Sequence, residues 1–439
     1  MSVSQRDSRY ALWVLFGINL LNFFDRNLGS ALTEPVRKEF GLNDQQLGFL
    51  ATIFTLAYAI VGLPLGRLAD TKDRTKLVAV GVGFWSVLTA ASGGVWNYSS
   101  MLATRIGVGL GEATCAPAGQ SLIGDYFPPE RRSRALALFM AGLPLGLFAA
   151  YMVAGTIAAR WGWRSAFYVA SVPGLVMVVL ATRLKEPLRG AMEQQAGVQQ
   201  PVTTRPFRTI AGVRTLWWIV ASGATFNFYM YAINAFNTAF LMRYHGLGLR
   251  QAGQVSAVTL GLVGLVGLAM GGVLGDRVRV ARPNGRLLLS AAALLLAVPC
   301  AYVALQQPRG QFLVYGALIA GVTMLSFIYY ATIYSAIQDV VEPRLRGAAV
   351  ALYFFAMYVC GASFGPLIVG TLSDRMARGA MHDAGAAVMT ESFRATGLHS
   401  AMYLIPVVLF ATALVLLAGA RTVGGDMERM QQRLRESYQ

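Results

Sequence analysis

The chain has 439 residues, 55% of them hydrophobic and 13% charged, with a formal net charge of +16. A soluble domain carries about 25% charged residues, so this composition, with a mean hydropathy of +0.51, excludes an ordinary soluble domain. The positive charge is spread over the ends of apolar runs, which excludes nucleic acid as the partner it serves.

Twelve apolar runs recur in chain order, roughly 11–33, 46–68, 77–96, 100–123, 134–158, 166–183, 215–241, 253–275, 286–305, 312–337, 347–371 and 400–419. Each is long enough to cross about 30 Å of hydrocarbon as a helix. Barrel strands would be about half that length and would alternate apolar with polar residues. The expected fold is an all-α membrane protein: twelve transmembrane helices in two six-helix bundles related by a pseudo-two-fold repeat. The first run carries Asp25 and Arg26 and lacks a small-residue cleavage site, so it is expected to stay as span one. The expected organisation is an N-terminal bundle over 1–184, a cytoplasmic linker over 185–213, a C-terminal bundle over 214–420 and a cytoplasmic tail over 421–439. Met427, Met430 and Leu434 share one helical face in that tail, which suits either an interfacial amphipathic helix or a frayed end.

With twelve spans, both termini share one side. That side carries 25 Lys and Arg residues against ten on the other, while Arg26 and Arg105 lie within spans. The positive-inside bias places both termini in the cytoplasm, with a bacterial inner membrane as the expected location. Cys115, Cys300 and Cys360 are scattered through apolar runs and form neither a disulfide framework nor a metal site. His245, His382 and His399 read as isolated residues at outer loops or a span edge. No cofactor is expected: Gly107-Val108-Gly109-Leu110-Gly111 follows no strand, so it is not a dinucleotide loop.

Two loop signatures repeat about half a chain apart. Gly66-Arg67-Leu68-Ala69-Asp70, followed by Arg74 and Lys76, returns as Gly272-Val273-Leu274-Gly275-Asp276, followed by Arg277 and Arg279. Asp125-Tyr126-Phe127-Pro128-Pro129 with Arg132 returns as Asp339-Val340-Val341-Glu342-Pro343 with Arg346. A duplicated membrane unit is the signature of a transporter, whose working site lies near mid-membrane.

Four ionisable side chains fall deep in the first half: Asp25, Arg26, Arg105 and Glu112. Each costs a few kcal/mol or more at mid-membrane if unpaired, so such groups face a cavity and pair. Asp25 and Arg26 are adjacent and point about 100° apart, so they do not pair with each other. Asn19, Asn22, Arg26 and Ser30 share one helical face, which turns Arg26 towards a cavity and Asp25 towards a helix–helix contact. Arg105 and Glu112 are about 10 Å apart along their axis, which leaves Arg26 as the nearer partner for Glu112. A carboxyl out of water beside a guanidinium changes its proton affinity when that distance changes, so Glu112 and Asp25 are the candidate proton-coupling residues and Arg26 and Arg105 their charge partners. The second half offers no mid-span charge. Its candidates are Asn227, Tyr231 and Asn234 with Thr238 in span seven, and Ser326, Tyr330 and Tyr334 in span ten. Together with Arg26, Glu112 and Asn22, that neutral, partly aromatic wall suits a ligand with a charged head and an apolar body.

These features together resemble the major facilitator superfamily, whose fold has six plus six helices and a Gly-x-x-x-Asp loop after spans two and eight. Thr71 and Asp73 stand where that loop commonly has Arg and Gly. A narrower match joins Leu21-Asn22-Phe23-Phe24-Asp25-Arg26, the segment from Arg105 to Gly111-Glu112-Ala113 with Pro117, Leu122-Ile123-Gly124-Asp125, and Lys185-Glu186-Pro187 with Arg189-Gly190. It resembles the spinster family of lysolipid and sphingolipid transporters. The resemblance implies alternating access, an amphiphilic lipid-like substrate and an ion gradient, with protons the expected coupling ion. It also implies that Asp70, Arg74, Asp125, Arg132, Asp276 and Arg346 act as cytoplasmic gating loops. The Asn-x-x-Asp-Arg start of span one is shared with proton-coupled symporters of small organic anions, which are the alternative. A membrane ligand sensor lacks support in the absence of a signalling-domain pattern, and an enzyme lacks a nucleophile–base set or metal cluster.

Overall fold

The computed structural model describes residues 4–189, 206–342 and 345–436. The linker's polar run from Glu193 to Gln200, Pro201, Pro343 and the side chain of Asp70 lie outside the described residues. The first half is built from α1 (Gln5–Ala31), α2 (Thr33–Phe40), α3 (Asp44–Thr71), α4 (Arg74–Gly93), α5 (Tyr98–Glu112), α6 (Cys115–Tyr126), α7 (Pro129–Trp161) and α8 (Trp163–Ala181). The second comprises α9 (Pro206–Ala211), α10 (Arg214–Arg243), α11 (Leu249–Ser256), α12 (Val263–Ala281), α13 (Gly285–Leu305) and α14 (Phe312–Val340). It continues with α15 (Arg346–Ala356), α16 (Phe364–Asp383), α17 (Glu391–Met402), α18 (Leu404–Ala420) and α19 (Val423–Glu436). Helix covers each of the twelve expected runs, and no strand occurs among the described residues.

Local chemistry sets the helix ends. Ser4 with Asp7, Asn43 with Gln46 and Asn97 with Ser100 form capping boxes at the starts of α1, α3 and α5, each satisfying amide groups that the first turn leaves unpaired. Asp73, one of the two residues that depart from the usual loop signature, caps α4 by accepting from the Lys76 amide at 3.1 Å. Proline explains two interruptions. Pro117 has no N–H to offer the Ala113 carbonyl, and span four breaks between α5 and α6 there. Pro406 stands four residues after Met402, where α17 gives way to α18. Spans eight and eleven instead carry π-helical turns at Ala257–Leu262 and Met357–Ala362.

Nine helical stretches among the described residues are long and apolar enough to cross a membrane. The helices of spans one, four and seven are not among them. These three are the helices that carry Asp25 and Arg26, Arg105 and Glu112, and Asn227, Tyr231 and Asn234. Span four falls short because its helix breaks into α5 and α6, of 15 and 12 residues.

The duplication is visible in the packing. A Cβ at Gly142 would stand 2.9 Å from the Leu20 amide nitrogen, and one at Gly146 2.5 Å from the Leu20 carbonyl oxygen. In the second half a Cβ at Gly361 would stand 2.2 Å from the Ala224 carbonyl oxygen, and one at Gly365 2.1 Å from that of Phe228. Spans one and five, and spans seven and eleven, thus meet backbone to backbone through glycines four apart, the spacing of one helix face.

The chain groups into two compact units. One is the N-terminal half together with Ala235–Met242 and Leu247–Gly261; the other holds the start of α10 up to Asn234, Arg243–Gly246 and the chain from Leu262. Within the expected linker, Lys185–Arg189 is tied to the first unit: the Arg189 guanidinium donates to the Ala69 and Lys72 carbonyls at 2.8 and 2.6 Å. The tail is a helix docked on the second unit, where Asp426 accepts from the Thr215 amide at 2.7 Å.

Candidate functional site

The first unit buries two carboxyls and two guanidinium groups together. Asp25, Arg26, Arg105 and Glu112 are 1, 7, 6 and 0% exposed. Arg26 Nε lies 3.5 Å from Glu112 Oε2, the pairing expected from helical geometry. Asn22 braces the pair: its amide donates to the Glu112 carbonyl at 3.3 Å, and its Oδ1 accepts from Arg26 Nη2 at 3.3 Å. Asp25 lies on the other side of α1, against Trp85 and within electrostatic reach of Arg105 and Glu112.

Aromatic rings complete the setting. The Arg26 guanidinium stands over Tyr58 at 4.3 Å, Phe23 at 5.1 Å and Phe54 at 5.6 Å. Arg105 stands over the same Phe54 ring at 5.5 Å. Each such contact is worth about 0.5–2 kcal/mol, so the rings offset part of the cost of burying the two cations. Gly29 seats Arg105: a Cβ there would lie 2.3 Å from Arg105 Nη2. Phe54 and Tyr58, four apart on α3, and Gly29 and Trp85 were not singled out by the sequence. The spacing of Phe54 and Tyr58 was available as a signal, but apolar spans are full of such pairs.

The second unit gathers a neutral cluster. The Tyr330 hydroxyl donates to Asn227 Oδ1 at 2.8 Å, and Asn227 donates onward to the Gly223 carbonyl at 2.9 Å. Tyr231 meets Tyr358 edge to face at 6.3 Å, and Tyr334 meets Tyr353 at 5.8 Å. Asn234 is 9% exposed. Behind this face Tyr329 links Ser222 at 3.0 Å with Tyr353 at 3.2 Å, and its ring stacks on Phe226 at 4.0 Å. Ser222, Phe226 and Tyr229 repeat at spacings of four and three, the signal that would have placed them beside the span-ten tyrosines.

At the expected cytoplasmic ends, each half pairs its signature residues internally. Arg74 bonds Asp125 at 2.5 Å and Glu186 at 2.7 Å; Arg286 bonds Asp339 at 2.6 Å and Asp276 at 3.0 Å. Arg132 donates to the Gly124 carbonyl and Arg346 to that of Gln338, each eight residues back in the chain, at 2.7 and 3.0 Å.

The expected isolation of His245 and His399 is corrected. The ends of α10 and α17 converge: the Tyr244 ring stacks on His399 at 4.3 Å and meets His245 edge to face at 5.1 Å. Burial, with His399 nearby, pushes the His245 imidazole down to about 4, so it is neutral near pH 7. Among the described residues no group of three or more His, Cys, Asp or Glu is placed to hold a metal ion.

A duplicated helical membrane protein with a buried charge cluster in one half and hydroxyl-bearing aromatic surface in the other has the make-up of a transporter. The sequence pattern of the Major Facilitator Superfamily matches residues 14–366, and the chain belongs to that superfamily. It is 32% identical over 381 residues to an MFS-type efflux pump of Mycolicibacterium smegmatis, covering 83% of this chain and 84% of that protein. It is 28% identical to protein spinster homolog 3 of Danio rerio, covering 86% of this chain and 79% of that one. Among solved structures, a bacterial homologue of the human lysosomal transporter spinster, in an inward-facing and unoccupied conformation, superposes with a TM-score of 0.84. That match has 24% identity and covers 96% of this chain and 99% of the other. The resemblance to spinster drawn from the first half therefore holds as similarity of sequence and of fold within that superfamily.

Proposed function

We propose that the protein is a secondary active transporter that moves an amphiphilic, lysolipid- or sphingolipid-type substrate by alternating access, coupled to protons. The observation that carries this reading is the asymmetry of the halves. The first half holds Arg26 on three rings beside Glu112. The second offers the partly exposed rings of Tyr231, Tyr330, Tyr334 and Tyr358, which suit an alkyl chain. An anionic or zwitterionic headgroup fits the guanidinium of Arg26, and each buried methylene adds about 0.8 kcal/mol. Asp25 and Glu112 are the proton carriers in this reading.

A second reading, a proton-coupled symporter of small organic anions, draws on one relative. The chain is 26% identical to a probable L-galactonate transporter of Escherichia coli, covering 83% of both. The two are separated by binding to the purified protein of one headgroup carried on chains of about two to about eighteen carbons. Affinity should climb with chain length. A flat series, with the shortest acids bound as well as the longest, rejects the lipid reading in favour of the small-anion symporter.

Both termini belong on the cytoplasmic side in this proposal, in a bacterial inner membrane, from the Lys and Arg asymmetry. Single cysteines at His382 and Gln195 test it with an impermeant thiol reagent on intact cells. The His382 position, 91% exposed, should label and the Gln195 position should not; the reverse pattern inverts the topology.

A further inference from the structure

The tail helix α19 makes contacts that reach well beyond its own surroundings. Its Asp426, 4% exposed, accepts from the Thr215 amide at 2.7 Å, in the first turn of α10. Thr422 and Thr215 share a hydroxyl hydrogen bond at 2.8 Å beside it. Arg433 lies 3.6 Å from Glu342, which follows α14 and is 3% exposed. Met427 meets the Arg279 guanidinium on α12 at 3.8 Å. Met430 lines a small pocket with Ile210, Val213, Val340 and Leu345 and with the charged groups of Glu342, Asp426 and Arg433. One short helix thus touches the ends of spans seven, eight and ten.

The first half has a counterpart. Glu186, just after the sixth span, accepts from the Thr75 amide at 3.1 Å in the first turn of α4, and its other oxygen pairs with Arg74 at 2.7 Å. Asp426, just after the twelfth span, does the same to α10 and pairs with Arg429 at 2.6 Å. In both halves an acid that follows the last span caps the exposed amides of an earlier one, where a negative charge also complements the helix dipole.

We propose that α19 is a strap, pinned by Asp426, that holds the ends of spans seven, eight and ten together so that the second half moves as one body. Asp426 is a positioning residue: it acts through the first turn of α10 and touches no substrate.

Amide hydrogen exchange on the full-length protein in lipid nanodiscs tests the strap without any assumption about substrate. Asp426→Ala should raise exchange at residues 215–218 about fivefold or more, the expected effect of a lost helix cap, and leave residues 75–79 unchanged. Asp426→Asn keeps an acceptor oxygen and should recover most of the protection. Glu186→Ala should give the reciprocal pattern, loosening 75–79 and sparing 215–218. Unchanged exchange at 215–218 in Asp426→Ala, or an equal rise in both halves, overturns the proposal. If Asp426→Ala does not fold, Arg433→Ala cuts the strap's other anchor. Exchange at 215–218 should then rise with that of α19, and a rise confined to α19 overturns the proposal.

Discussion

Glu112→Gln should abolish the response of transport to a proton gradient while leaving the protein folded. The substitution keeps the shape of the side chain and an oxygen that Arg26 can still address, but it removes the only group of that pair able to gain or lose a proton. The fold should survive because the Arg26 guanidinium is also held by Tyr58, Phe23 and Phe54 and by Asn22. Breaking a buried ion pair by deleting one partner costs about 3–5 kcal/mol; retaining the amide oxygen and the rings keeps the loss below that. The measurement is substrate flux in proteoliposomes with and without an imposed pH difference. The ratio of the two should fall to about one in the variant, because no protonation change then accompanies the cycle. A ratio equal to that of the native protein transfers the coupling role to Asp25, which lies behind α1 against Trp85.

Arg26→Ala should weaken binding of every member of the chain-length series by a similar factor. A charge-assisted hydrogen bond contributes about 1.5–3 kcal/mol, so the expected loss is about ten- to a hundredfold at each length. The dependence on chain length should persist with unchanged slope, because Arg26 addresses the headgroup alone. The loss of the cation also leaves Glu112 buried without its 3.5 Å partner, so the variant's thermal midpoint should be followed alongside. A loss that grows or vanishes with chain length would show that Arg26 does not hold the headgroup.

The pairing of Arg26 with Glu112 was legible because it follows from rigid geometry: seven residues along one helix separate Arg105 and Glu112 too far for an easy bridge. The twelve spans were legible because length and hydrophobicity alone define them. The break after Glu112 was written in Pro117, though the run of apolar residues across it reads as one continuous span. The aromatic ring set around Arg26 was hidden for a different reason. Phe54 and Tyr58 are ordinary residues for an apolar helix, and only the approach of α1 gives them a cation to hold. His245 and His399, 154 residues apart in the chain, came together through the meeting of two helix ends, which no local pattern encodes. The tail is a helix and not a frayed end, and its docking was hidden because the partner of Asp426 lies on span seven.

Gly29 has a consequence for how α1 can move. It is a notch in the helix surface, and Arg105 Nη2 occupies the space where a Cβ would stand. A slide of one helical turn, about 5.4 Å, would bring Asp25 and Arg26 or Leu32 and Thr33 under the guanidinium, and each of these carries a side chain. The register seen places the one residue without a side chain under the tip of Arg105. The notch therefore ties two events together: α1 shifts against α5 only as the Arg105 side chain withdraws from it, and that withdrawal changes the distance from the guanidinium to the carboxyls of Asp25 and Glu112.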